Sequence, residues 1–394
     1  MITAYRAREI FDGEVFHANA ALLVTNGQCV GITPEQDIPP QYQRHESISD
    51  LIVPGFVDLQ VNGGGGVQFN NDPSLEGIET ICAAHARYGT TALMVTLITD
   101  TADIREHAVE ASKAAWQAKT LGYLGLHLEG PHLDRKRKGA HDENLIRPLT
   151  KRDLDFLISH TGHFGQSLMT VAPESLTPSD VKILVDAGYC ISLGHTNCSG
   201  ETASAYFAAG ASMATHLFNA MSQLTNREPG LVGTALATPN INCSIIADGH
   251  HVAQTSLKVA LNAKRDDGDD TEDKSAGKLF LITDAMAPTG TDATDFILNG
   301  RSIYRREGRL TLADGTLAGA DIDMLSSVRF AIEQLSLPRE EALRMASLYS
   351  ARAIQVDHKG HLTPKADADF LCLNKDFTLN STWIGGQCFY DASQ

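Results

Sequence analysis

The chain has 394 residues, 43% of them apolar and 20% charged, which is enough to bury a large core and too apolar for a disordered chain. Its formal charge of -16 argues against a nucleic-acid partner or an anionic membrane surface. A small anion remains admissible, because one local cationic pocket can hold a phosphate within an acidic protein.

In chain order, residues 1 to 53 open with short strand candidates. "ALLVTNGQCVGIT" carries an Asn-Gly pair between two apolar runs, the signature of a hairpin turn. From residue 52 to 284, eight β-rich runs recur: "LIVPGFVDLQV", "TTALMVTLI", "GYLGLHLEG", "QSLMTVAPE", "YCISLGHT", "SMATHLFNA", "NCSIIADGHH" and "KLFLITDAM". Helix-like stretches such as "SLEGIETICAAHARYG" and "ADIREHAVEASKAAWQAKTLG" separate them, each ending in a Gly that fits a helix C-terminus. Continuous apolar strands alternating with helices predict a parallel sheet covered on both faces, and eight units predict a (β/α)8 barrel. A doubly wound sheet is the alternative, but it gives no reason for a polar residue at the C-terminal end of so many strands. The acidic segment "KRDDGDDTEDKSAGK", residues 264 to 278, is expected to be a solvated loop. Residues 362 to 394 regain the β-rich character of the N-terminus, so the two ends are expected to pair into one small β domain.

Seven scattered cysteines without a C-x-x-C pair fit free thiols in a reducing, cytoplasmic setting. The charges in "MITAYRAREIFDGE" do not fit a secretory leader, and no apolar run reaches the roughly 18 residues of a membrane span.

The strand ends carry the candidate chemistry. Glu129, His195 and His216 would meet at the barrel mouth, and one carboxylate with two imidazoles suits a catalytic divalent cation with an open position. Each histidine taken alone reads first as a hydrogen-bonded core or rim residue, and it is the coincidence of three strand-end positions that favours ligation. Asp284 ends the last strand and could accept and return a proton, or else cap the following helix. His141 could donate to a carbonyl oxygen as it gains negative charge. Arg135, Lys136, Arg137 and Lys138 read as a solvated charge run. Asn219 and Ala220 follow strand six, where a helix N-terminus could hold phosphate. Arg227 could fork onto phosphate oxygens or lie on the surface. Of His250 and His251, at least one is expected to face the pocket. Cys198 has no adjacent base to make it a nucleophile, and Gly63 to Gly66 lack the context of a dinucleotide fingerprint. Asp58, Gln60 and Asn62 alternate, so they share one face of the first strand.

"PGFVDLQVNGGGGVQFN", "HLEGPHL", "KGAH", "LGHTN", "THLFNAM", "REPGLVG", "ADGHHV", "TDAMAPTG" and "LAGA", in this order, resemble the N-acetylglucosamine-6-phosphate deacetylase family of the amidohydrolase superfamily. The resemblance runs essentially end to end. It implies a (β/α)8 barrel over 54–345, with a small β-sandwich domain built from 1–53 plus 346–394. It also implies hydrolysis of the N-acetyl group of a small amino-sugar phosphate, with no nucleic-acid or membrane partner, by a cytoplasmic homodimer. Glu129, His195 and His216 match that family's metal ligands, Asp284 its catalytic Asp, and His141 the histidine that polarises the acetyl carbonyl. Asn219, Ala220, Arg227 and His251 match positions at the sugar phosphate, with Arg227 acting either in its own subunit or across a dimer interface. Ala140, Leu317, Ala318 and Gly319 match further substrate contacts. Gln60 and Asn62 stand where two-metal members carry an H-x-H pair, and strand four offers no Lys for a bridging carbamate. One divalent metal per subunit is therefore expected, Zn²⁺ first and Fe²⁺, Co²⁺ or Mn²⁺ as substitutes. His132 stands where an aromatic residue is familiar, which leaves open an alternative ligand arrangement. Rival readings are another amidohydrolase reaction, such as cyclic-amide opening or base deamination, and an inactive barrel serving as scaffold or sugar sensor.

Overall fold

A computed structural model describes residues 1–264 and 276–393. Eight parallel strands form the barrel: Phe56–Val61, Thr90–Ile98, Tyr123–Glu129, Gln166–Val171, Cys190–Leu193, Met213–Ala214, Asn242–Ile245 and Leu279–Leu281. They correspond in order to the eight apolar runs. Seven ladders join neighbours, and a parallel bridge between Val61 and Ala285 brings the last strand's exit against the first. Asn62 N–H donates to the Ala285 carbonyl at 2.8 Å, and Asp284 N–H donates to the Gln60 carbonyl at 3.0 Å. The nearly closed barrel thus fixes Gln60, Asn62 and Asp284 beside one another through their backbones.

The strands are continuously apolar because helices cover their outer faces while side chains fill the interior. Helix starts are set by side-chain caps: Ser74, Thr101, Thr150, Thr177 and Ser199 each accept a backbone N–H of the following turn. The helix Ala102–Ala118 ends one turn before the expected Gly, because Lys119 takes the left-handed conformation itself at φ 54. Below the strand ends, the barrel interior holds a polar layer. His127 bonds Thr96 Oγ1 at 3.2 Å and Thr170 Oγ1 at 2.8 Å, and Thr170 bonds Thr215 at 2.7 Å.

Both chain ends meet in a seven-stranded sheet. Its central strand, Gln43–Pro54, runs parallel to Thr3–Phe11 and antiparallel to Phe370–Leu373. Ile10, Leu22, Ile52 and Phe370 form its core, with the Trp383 ring stacked 5.4 Å from Phe370. Asn26 and Gly27 both take positive φ, 50° and 77°, as the two-residue hairpin turn requires.

A third sheet was not foreseen. Asp295–Leu298, Arg301–Arg306, Arg309–Thr311 and Leu317–Ala320 form a four-stranded antiparallel sheet after the last barrel strand. Leu298, Ile303, Leu310 and Ala318 pack on Ile98 and Met286, which anchors this sheet over the barrel mouth. Most of the acidic 264–278 segment lies outside the described residues.

Candidate metal-dependent active site

Three of the residues that close the strand ends are held in left-handed backbone: His195 at φ 48, His216 at φ 34 and Asp284 at φ 50. Non-glycine residues adopt this region at a cost, and they persist there where the surroundings fix them. The turn re-aims each side chain across the barrel axis. Glu129 needs no such turn, being the last residue of its strand.

The atoms that converge form a small triangle. Glu129 Oε1 lies 3.3 Å from His195 Nε2 and 3.1 Å from His216 Nε2, and the two nitrogens are 3.1 Å apart. A tetrahedral cation with N and O ligands at about 2.0–2.1 Å places those ligands about 3.3 Å from one another. The tautomer of His195 sharpens the fit. Its Nδ1 is 2.7 Å from the Arg137 carbonyl, which can only accept, so Nδ1 carries the proton and Nε2 presents a bare lone pair. A bare nitrogen and a carboxylate oxygen so close together need positive charge between them. The pKa of His216 reports the same demand: burial alone would lower it, but the Glu129 carboxylate raises it overall. Burial alone would raise Glu129, yet its bonds to His195 and His216 hold it well below the usual carboxylate range.

Glu129, His141 and His195 also offer ligand atoms within 4.8 Å of one another. The hydrogen bonds decide between His141 and His216. His141 Nδ1 accepts from the Thr99 N–H at 3.3 Å and lies 2.7 Å from the Thr99 hydroxyl. Its proton is therefore on Nε2, which faces the cavity 3.7 Å from Glu129 Oε2. Burial pushes the pKa of His141 down to about 3, so the ring is neutral. A neutral imidazole aiming N–H at the cavity is a donor, not a ligand.

Residues 51–388 of the chain match the amidohydrolase family. The chain belongs to that family. It is 39% identical over its whole length, and 97% of the relative's, to an N-acetylgalactosamine-6-phosphate deacetylase of Shewanella sp. (strain ANA-3). It is 32% identical, over 93% of each chain, to an N-acetylglucosamine-6-phosphate deacetylase of Haemophilus influenzae (strain ATCC 51907 / DSM 11121 / KW20 / Rd). The crystal structure of N-acetylglucosamine-6-phosphate deacetylase from Pasteurella multocida superposes with a TM-score of 0.91, at 32% identity, covering 98% of this chain and 99% of that one. Amidohydrolases depend on metal, and the donor set of Glu129, His195 and His216 fits one divalent cation.

The cavity of this amidohydrolase above the triangle is about 240 Å³. Asn62, Ala140, His141, Asn219, Ala220, His251, Asp284, Leu317 and Gly319 all line it, as expected from the sequence. Asp284 Oδ1 accepts from Asn62 Nδ2 at 2.6 Å and from Gln60 Nε2 at 3.1 Å. Gln60 Nε2 also donates to Glu129 Oε1 at 3.1 Å, so one amide ties the metal-site carboxylate to the last strand's carboxylate. Burial, then the charge of Glu129, raises the pKa of Asp284 to about 6. His251 reaches the cavity because Asp248 holds its Nδ1 at 2.6 Å, whereas His250 is exposed.

Arg227 is exposed and does not line the cavity of its own chain, as a residue acting across a dimer interface would be. Other expectations are not met. Ala318 points into the small sheet's core, since only alternate residues of a strand face one side. No helix begins at Asn219: Phe218 at φ 78 and Ala220 at φ 49 break the helical path, and the next helix is Gly230–Ala237. His132 is buried away from the cavity lining and the ligand triangle, with its Nδ1 donating to the Arg147 carbonyl at 3.0 Å. Glu174, just past the fourth barrel strand, accepts from Thr196 Oγ1 at 2.7 Å and the Asn197 N–H at 2.9 Å and does not line the cavity. Cys198 is a buried thiol with its pKa raised to about 11, consistent with no nucleophilic role. Of the glycines after strand one, Gly63 and Gly64 are closely packed, and Gly65 and Gly66 take positive φ at 64° and 88°. A Cβ on Gly63 would lie 2.4 Å from the Val67 carbonyl oxygen. Sequence reasoning missed Ile98, Ile246, Met286, Gly139 and Thr316 as lining residues. The first three continue apolar runs and carry no signal that separates them from core.

Proposed function

We propose that this amidohydrolase removes the N-acetyl group of N-acetylglucosamine 6-phosphate, releasing glucosamine 6-phosphate and acetate. The observation that carries the reading is the division of labour around one cavity. Glu129 and His195 turn lone pairs inward beside His216, whose Nε2 lies 3.1 Å from Glu129 Oε1, His141 turns an N–H inward, and Asp284 supplies a carboxylate. When bound, one divalent cation, Zn²⁺ before Fe²⁺, Co²⁺ or Mn²⁺, supplies a Lewis acid that lowers the pKa of water and polarises the acetyl carbonyl. Asp284 takes the proton of the attacking water as the C–O bond forms. His141 Nε2–H donates to the carbonyl oxygen as negative charge builds there. Asp284 then gives its proton to the amine nitrogen as the C–N bond breaks, which matters because amines leave badly.

The sugar phosphate is assigned to the loops that carry Asn219, Ala220 and His251. Arg227, exposed on its own chain, would serve the cavity of a second copy in a homodimer. The division into 1–53 plus 346–394 and 54–345 is kept as the domain reading, supported by the sheet that joins both ends. No helix among the described residues is long and apolar enough to cross a membrane, and all seven cysteines are free thiols, which supports a cytoplasmic setting.

The decisive experiment follows acetate release from N-acetylglucosamine 6-phosphate with and without a chelator. Release that is strong, chelator-sensitive and far weaker with unphosphorylated sugar is expected; no release refutes the reading. The 39% identity to an N-acetylgalactosamine-6-phosphate deacetylase favours a second reading, in which the C4 epimer is the better substrate. The ratio of kcat/KM for the two epimers decides between them.

A further inference from the structure

Among the described residues no Lys or Arg lines the catalytic cavity, although the proposed substrate is a phosphate monoester and the chain carries a net charge of -16. A dianion approaching such a protein meets repulsion unless a local field reverses it. A second cavity, of about 710 Å³, opens beside the first and shares Gly139 and Thr316 with it. Lys136 and Lys138 line one wall, from the loop after the third barrel strand. Arg301, Ser302 and Tyr304 line the other, from the sheet over the barrel mouth.

We propose that Lys136, Lys138 and Arg301 form an anion-capture site at the mouth of the active-site cavity, where a phosphate monoester lands before it reaches the metal ligands. The proposal rests on the reading of the substrate as a sugar phosphate. Three cations face one lining carboxylate, Asp314, which already accepts the Thr316 N–H at 2.9 Å. Lys138 also reaches Glu143 at 3.0 Å, but both side chains are open to water, where such a pair contributes at most about 1 kcal/mol. Lys136 makes no ion pair with a described residue. Arg301 is pinned, its guanidinium donating to the Ala140 carbonyl, and Ala140 itself lines the catalytic cavity. That bond places a fixed positive charge at the boundary between the two cavities. The charge run in "DRKRKGAH" therefore divides its work. Arg135 binds the Ile146 carbonyl and Arg137 binds Asn197, while Lys136 and Lys138 turn to the cleft.

The test uses the metal-loaded, full-length protein and the double variant Lys136→Glu with Lys138→Glu. Both substitutions are at accessible positions that no core contact depends on. Deacetylation of N-acetylglucosamine 6-phosphate and of the unphosphorylated sugar is measured at low and high salt, and inorganic phosphate binding is titrated in parallel. In the wild type, kcat/KM for the phosphorylated sugar should fall as salt rises. In the variant it should be about tenfold lower at low salt, with the loss in KM, and its salt dependence should flatten. Inorganic phosphate should bind more weakly to the same extent, and the uncharged sugar should change less than twofold. The milder Lys136→Gln with Lys138→Gln should lie between. A wild-type salt slope in the variant, or equal losses with both sugars, overturns the proposal. If the wild type does not prefer the phosphorylated sugar, the substrate reading falls, and the phosphate titration still decides whether the cleft captures anions.

Discussion

Asn62 Nδ2 donates to Asp284 Oδ1 across 2.6 Å, and Gln60 Nε2 donates to the same oxygen at 3.1 Å. Both amides meet on one carboxylate oxygen, Gln60 sharing its Nε2 with Glu129 Oε1 at 3.1 Å, and Asp284 Oδ2 has no hydrogen-bond partner among the described residues. Two neutral side chains thus occupy the positions where a second metal's histidines would stand, and they orient the carboxylate instead. A hydrogen bond to a charged group contributes about 1.5–3 kcal/mol, or roughly ten- to hundredfold in rate if it serves the transition state. Asn62→Leu should lower kcat by that factor while metal content stays at wild-type level. Unchanged kcat would remove Asn62 from the machinery.

Replacing the carboxylate itself tests the proton route. Asp284→Asn keeps shape and buried volume but cannot take a proton from water or return it to the amine. Turnover should fall by about 10²–10⁴-fold, the usual scale of a lost general acid–base, with metal still bound. Near-normal kcat would refute the assigned role.

His195 and His141 differ in which nitrogen holds the proton, and that difference is measurable. His195→Asn removes a bare Nε2 from the triangle, so elemental analysis should find much less metal per chain after dialysis. His141→Asn removes a donor and leaves the triangle intact, so metal should stay while kcat falls by about 10²–10³-fold. Metal loss in both variants alike would make His141 a ligand. Chelator treatment of the wild type should abolish activity, and Zn²⁺ should restore it.

The barrel was legible because its signal is repeated. Eight apolar runs of similar length, seven of them with a polar residue at or near the C-terminal end, define the strands and the mouth together. Glu129, His195, His216 and Asp284 were found through that position and through their chemistry. The tautomers were not legible, because they depend on Arg137 and Thr99, which come from other parts of the chain and carry no local mark. Nor was the sheet over the mouth, whose strands Asp295–Leu298 and Arg309–Thr311 are short and charged at their edges. Ala318 shows the limit of carrying a motif over whole: "LAG" brings Leu317 and Gly319 to the cavity, and strand alternation turns Ala318 away. Gly319 can only be glycine there, with φ +69 and a Cβ position 2.5 Å from Met286 Cγ.

Stability should depend on pH through histidines the fold keeps neutral. His132 is buried, and burial holds its pKa down to about 4 despite the bond to the Arg147 carbonyl. His127, in the polar layer of the barrel, is likewise held to about 4 by burial. In the unfolded chain both return to about 6.5. Above that pH neither state takes a proton, and the full stability is present. As pH falls from about 6.5 toward 4, the unfolded chain binds protons that the fold refuses, and stability drops by up to about 3 kcal/mol per histidine. These two histidines therefore pull the midpoint of urea unfolding down between pH 7 and pH 5, while Asp58, whose pKa burial raises to about 7 in the fold, pushes it the opposite way. His132→Phe removes one such group together with an Nε2 that has no partner in the fold. Its unfolding midpoint should be visibly less sensitive over the same interval. A slope equal to wild type would show that His132 takes up its proton in the folded state as readily as in the unfolded one.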